Sequence, residues 1–416
     1  MVASADTLFD VLDSAFGSVG EIYFRRFMKN SFADKWMIAA DFVIGAPEAV
    51  HDVFAITIFP HYEEFTAMLA GISKIFPRDL KRTKIITDEM ITFLRDTKRF
   101  HFCFLFDKNR YELDSVGTAR AAITHAIRVV QKLDTGGLMS SEERRKRYIQ
   151  LLRGVEDDAK ANRFNFRNFF DIHILSVLLA TIMLWIVRHS ECGGIGLFPD
   201  RDKMTVGYKG IFNAITEINH SGFCQRTGLD AVRIIGAPSL EVLASGDFFY
   251  DALVRVPDYI AGALSRLDYH TKVLTSEQGK HKDLVQRFAS DNPNLVIIQM
   301  SESVFSLGAS TIRLSTELDR FPPVSCDELL EYVLNKARGF KRPQPRTYRQ
   351  ELLDHSSNWP LFSRMLRSLL KGVAAGDRGN IALFDGKTEL LRKRNLDIRL
   401  LPPNGRKSGL DGKYSV

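Results

Sequence analysis

Met37-Ile-Ala-Ala-Asp41-Phe-Val-Ile44, then Gly45-Ala-Pro47, then Asp52-Val-Phe-Ala-Ile-Thr-Ile-Phe59 is the stretch on which the fold turns. The first run is apolar except for one acid, and Gly45 and Pro47 break it. The second is β-branched and aromatic, and Pro60 stops it. Two such runs around a Gly/Pro break predict a hairpin of two strands.

Upstream, residues 1–35 predict an amphipathic helical segment, with Leu8, Val11, Leu12, Phe16, Ile22, Phe24 and Phe27 at helix-compatible spacing. Downstream, helical patterns at about 62–75 and 87–96 precede Arg99-Phe-His-Phe-Cys-Phe-Leu-Phe106, a third strand. Residues 116–133 are helical and end at Asp134-Thr-Gly-Gly137. A long helical stretch covers about 140–189, opening on Arg144, Arg145, Lys146 and Arg147. Its apolar run, Ile174 to Val187, is 14 residues. A membrane span needs about 20, so this predicts a buried helix. Gly193-Gly-Ile-Gly-Leu-Phe-Pro-Asp200 predicts a central strand and Ala231–Gly236 a short one, with a helix at about 206–220 between them. Val254–Arg266 predicts a helix with Pro257 near its first turn, where a missing N–H costs little. This order of elements is mixed α/β. Beyond about residue 271 come a helix at 275–289, a strand at Leu295–Ile298, a mixed stretch, and helices at 326–337 and 348–374.

At 416 residues the chain has room for roughly two to three domains. It is 45% hydrophobic with 30 Phe, enough for a large core, and its 14 Pro and 28 Gly exclude a collagen-like or low-complexity scaffold. The four Cys form no CxxC pair, which argues against a structural zinc site or a disulfide scaffold. The N-terminus lacks a basic region followed by an apolar one, so no signal peptide is expected, and a cytoplasmic setting without membrane attachment is the expectation. The net charge of +7 is uneven: from Lys336 onward there are 18 Lys+Arg against 7 Asp+Glu. A slightly acidic body with a basic C-terminal region suits an anionic partner, or simply a solvated basic face.

P-loop, Rossmann, GxSxG and HExxH motifs are absent. His101 and His173 lie in apolar surroundings that suit packing better than ligation. Three acids stand in awkward places. Asp41 interrupts an apolar strand. Asp200 and Asp202 close another, and strand alternation would put them on one face. Asp258 starts a helix lined by Ile260, Ala263 and Leu264, where it could equally favour the helix N-terminus. An acid inside an apolar strand is costly unless it is paired or binds a metal. Carboxylates converging from two strands and a helix would suit two divalent ions, Mg²⁺ or Mn²⁺, and an in-line phosphoryl displacement.

These positions resemble the ribonuclease H-like superfamily and, more narrowly, a large bacterial family of unknown function within it. The pieces that carry the likeness are Ile38-Ala-Ala-Asp41, Ile195-Gly-Leu-Phe-Pro-Asp200-Arg-Asp202 and Val256-Pro-Asp258-Tyr-Ile-Ala-Gly-Ala-Leu-Ser-Arg266. Phe42-Val-Ile-Gly45 stands where that family usually has Glu-Ser-Gly. The resemblance implies a ribonuclease H-like mixed sheet over residues 35–270, with a helical insertion at about 116–189. It leaves an N-terminal helical segment, 1–34, and a basic C-terminal accessory region, 271–416. It also implies a metal-dependent nuclease with Asp41, Asp200 and Asp258 catalytic, and with Asp202 as a further metal ligand. A bacterial origin and a role in defence against phage come from the same likeness. Lys341, Arg342, Arg346, Arg349, Arg392, Lys393 and Arg394 would hold DNA or RNA. The aromatic run Phe164–Phe170 is a stacking surface or, preferably, helix packing. The alternative is an inactive scaffold of the same fold that binds nucleic acid, a partner protein or a second copy of itself.

Overall fold

A computed structural model shows the hairpin: β1 (Lys35–Val43) pairs antiparallel with β2 (Asp52–Pro60), Asp41 lying opposite Ala55. The structure describes residues 5–16, 19–62, 64–108, 116–132, 142–160, 164–235, 250–268, 273–274, 279–302 and 307–312, with isolated positions between 314 and 332. On the other side of β2, β3 (Phe100–Phe106) pairs antiparallel. Strand β4 (Gly194–Pro199) runs parallel to β1 on its free edge, and the short β5 (Ile234–Ile235) runs parallel to β4. All seven residues of β3 are buried, so a continuous aromatic run rather than an alternating one marks a strand covered on both faces.

The sheet extends beyond the boundary expected at residue 270. Strand β8 (Leu295–Glu302) pairs parallel with β3, and β9 (Leu307–Ile312) closes that edge, while β6 (Leu267–Asp268) and β7 (Val273–Leu274) form a separate two-stranded ribbon. The order of the seven-stranded sheet is β5-β4-β1-β2-β3-β8-β9. The chain divides into two compact units, residues 1–321 and 322–416. The helices expected at 326–337 and 348–374 fall almost wholly outside the described residues.

Alternation along β1 sorts the two faces. Trp36, Ile38, Ala40 and Phe42 face one way; Met37, Ala39 and Asp41 face the other. The first face is covered by α1 (Ala5–Phe16), α2 (Val19–Ser31) and α7 (Phe166–His189), with Phe16 stacked 3.7 Å from Trp185. One helix was expected at 1–35 and two form. Helix α1 is built into the body, since Thr311 of β9 donates to the Ala15 carbonyl. Helix α7 is long and apolar enough to cross a membrane, yet 94% of its most apolar window is buried inside the fold. It packs against α8 (Lys203–Thr227), flanked by α5 (Val116–Lys132) and α6 (Glu142–Lys160). The expected single stretch at 140–189 is thus two helices.

The second face meets α3 (Phe65–Ile75), α4 (Asp88–Arg95) and α9 (Asp251–Leu264). Met37, Ala39, Val53, Ala55 and Phe198 join Val256, Ile260, Ala261 and Leu264 in one core. The short α10 (Lys280–Leu284) runs into a π-helical turn, Val285–Ala289. Pro257 is the seventh residue of α9 and lies inside the helix, not in its first turn.

Candidate carboxylate centre

Asp41 shares its face of β1 with Met37 and Ala39, so the strand itself aims it under α9. It is 9% exposed, and its Oδ1 accepts the next residue's own N–H, Phe42, at 2.6 Å. Burial, and then the charges of Asp258 and Asp200, push its carboxyl well above the usual range. Asp258 sits on α9 opposite the strand. Its Oδ2 accepts the backbone N–H of Leu80 at 2.6 Å. Burial raises its carboxyl to about 6; the Leu80 N–H opposes that rise, while Asp79 and Asp200 add to it. The two carboxyls are close enough for each to act on the other's protonation.

Asp200 follows β4. Its N–H donates to the Ala40 carbonyl at 2.7 Å, which carries the parallel pairing one residue past Pro199. That register keeps Asp200 on the face of Gly196 and Phe198, the same side as Asp41. Its carboxyl is raised by burial, and by Asp202 and Asp251, with Arg201 opposing. Asp202 does not continue the alternation. The chain has already turned into α8, where Thr205 and Val206 donate to the Asp202 carbonyl at 3.0 and 3.1 Å and the Asp202 N–H reaches Thr205 Oγ1 at 3.1 Å. It is an exposed residue at the start of that helix. Of the two acids, Asp200 is the one whose charge acts on both Asp41 and Asp258.

The structure therefore brings Asp41, Asp200 and Asp258 together from a strand, a strand end and a helix. The donor set is all carboxylate oxygen, which Mg²⁺ and Mn²⁺ prefer. Each member is raised by burial and by a neighbouring acid, so the set suits an added cation. Among the described residues, no three His, Cys, Asp or Glu side chains are gathered closely enough to hold one ion by themselves.

Several neighbours were missed in the sequence. The Leu80–Arg82 3-10 turn supplies the N–H on Asp258, and Lys280 Nζ donates to the carbonyls of Leu80 (2.5 Å), Lys81 (3.2 Å) and Thr83 (3.0 Å). Nothing in local periodicity joins residue 80 to 258 or 280. Of the other expectations, His101 is core: Thr57 Oγ1 lies 3.0 Å from Nδ1, the Leu94 carbonyl 2.9 Å from Nε2, and burial lowers its pKa to about 3. His173 is buried likewise, its pKa lowered to about 4. In the aromatic run, Phe169 and Phe170 are buried and Phe164 packs on Phe169 and Tyr208. Lys341, Arg342, Arg346, Arg349, Arg392, Lys393 and Arg394 lie outside the described residues.

Comparisons with protein-family models, curated proteins and solved structures found no match to this chain.

Proposed function

We propose that the protein is a metal-dependent nuclease of ribonuclease H-like fold that hydrolyses phosphodiester bonds. The observation that carries the reading is the convergence of Asp41, Asp200 and Asp258 under one end of the sheet, each with its carboxyl raised. The mixed sheet supports it: β3, β2 and β1 form an antiparallel meander, and β4 and β5 run parallel on the β1 edge. Asp41 and Asp258 would hold divalent ions with Asp200. Bound there, such ions supply charge stabilisation for an in-line phosphoryl displacement. Asp41 would have to be deprotonated to serve as a ligand. Asp258, its Oδ2 held by the Leu80 N–H, and Asp200 from the β4 end would complete the set.

A second reading, an inactive scaffold, is favoured by the looseness of the carboxylate set. Thermal melting with Mn²⁺ or Mg²⁺ separates the two. The nuclease reading requires metal-dependent stabilisation that Asp258→Ala removes; indifference to metal would leave the scaffold.

A further inference from the structure

The turn that holds Asp258 carries a dense positive charge. Arg78-Asp79-Leu80-Lys81-Arg82-Thr83-Lys84 has four cations and one acid. Leu80 is buried, packed so closely beneath α9 that a Cβ on Gly262 would stand 2.5 Å from its Cδ2. Arg78, Lys81, Arg82 and Lys84 are all exposed, and Asp79 lies 3.8 Å from Arg82.

The backbone of this turn is pinned. Lys280 takes three of its carbonyls, Tyr259 Oη donates to the Arg78 carbonyl at 3.0 Å, and Arg255 donates to the Phe76 carbonyl at 2.8 Å. Crowded like charges on a mobile loop can spread apart; on a fixed turn they raise a standing positive potential that an anion relieves. Ile85, 74% exposed, adds an apolar side chain beside them, suited to a sugar or base face. The same backbone donates the N–H that orients Asp258.

We propose that the Arg78–Lys84 turn grips the phosphodiester backbone of a nucleic acid and lays it across Asp258, with Lys280 as the residue that positions the turn. The role at Asp258 rests on the nuclease reading above; the grip itself does not require cleavage.

The test is fluorescence anisotropy of the full chain with labelled single-stranded and duplex DNA and RNA in EDTA, between about 50 and 200 mM salt. The triple variant Lys81→Gln, Arg82→Gln, Lys84→Gln is compared with a control that removes three exposed cations from α6, Lys146→Gln, Arg147→Gln, Arg153→Gln. Melting curves are recorded first to check that both variants fold. The turn variant should bind about tenfold or more weakly at the lower salt. Its salt dependence should be shallower by roughly 0.7–0.9 in log–log slope for each phosphate that the turn no longer neutralises, with the control like wild type. Wild-type affinity and slope in the turn variant, an equal loss in the control, or no binding by the wild type would overturn the proposal. Turn-dependent binding without metal-dependent cleavage would remove only the nuclease reading; cleavage with turn-independent binding would remove only the grip.

Discussion

Asp258 shows what burial does to one carboxylate. Its pKa rises from 3.8 to about 6, chiefly from desolvation. Between those values the folded chain holds a proton that the unfolded chain has released. This group therefore lowers stability as pH rises through that window, and the loss is complete above it. Asp258→Asn keeps an acceptor for the Leu80 N–H and removes the charge. The metal-free variant should be more stable than wild type at pH 7 by about 1–3 kcal/mol. The difference should vanish below about pH 4, as read from urea midpoints. A variant no more stable than wild type at pH 7 would show that Asp258 carries no burial penalty. The same residue marks a limit of what sequence can show. Asp258 was visible as an acid beside small apolar residues, but its partners, Leu80 and Asp41, are set by tertiary packing. Strand alternation does not reach Asp202, because β4 ends at Pro199.

At the scale of elements, α9 is held to the 3-10 turn by fit as much as by hydrogen bonds. Gly262→Ala places a methyl group against Leu80, a buried side chain with little room to retreat. Overpacking of this kind costs about 1–3 kcal/mol. It should also slacken the Leu80 N–H on Asp258. Denaturation should show the loss, and Mn²⁺-induced stabilisation should shrink with it; a neutral substitution would mean that the turn yields freely. Strands β1, β2 and β3 were legible because their apolar runs end at Gly, Pro or charged residues. Strand β9, Leu-Gly-Ala-Ser-Thr-Ile, was not: its small and polar residues carry little β signal, and pairing with β8 makes it a strand. A helix beginning at Val254 would put Pro257 in its first turn, whereas α9 begins at Asp251 and tolerates the proline inside.

Across the whole molecule, two sets of buried groups oppose each other in acid. His101, His173 and His220 have pKa values lowered to about 3, 4 and 4 by burial. The unfolded chain takes up protons there below about 6.5 while the folded chain does not, so stability is lost as pH falls from 6.5 towards 4. The carboxylate set acts in the opposite sense over much of that range. In an Asp41→Asn, Asp258→Asn double variant, the acid loss should therefore be steeper than in wild type; an identical slope would show that the carboxylates are not raised. The central claim is that these acids form a working centre, and cleavage tests it most directly. Labelled DNA and RNA, single-stranded and duplex, are incubated with Mn²⁺, Mg²⁺ or EDTA and wild type, Asp200→Ala or Asp258→Ala. The expected result is metal-dependent cleavage by wild type, reduced at least ~100-fold in both variants, as follows when a metal ligand is removed. Cleavage that persists in EDTA, or that both variants retain, would contradict it.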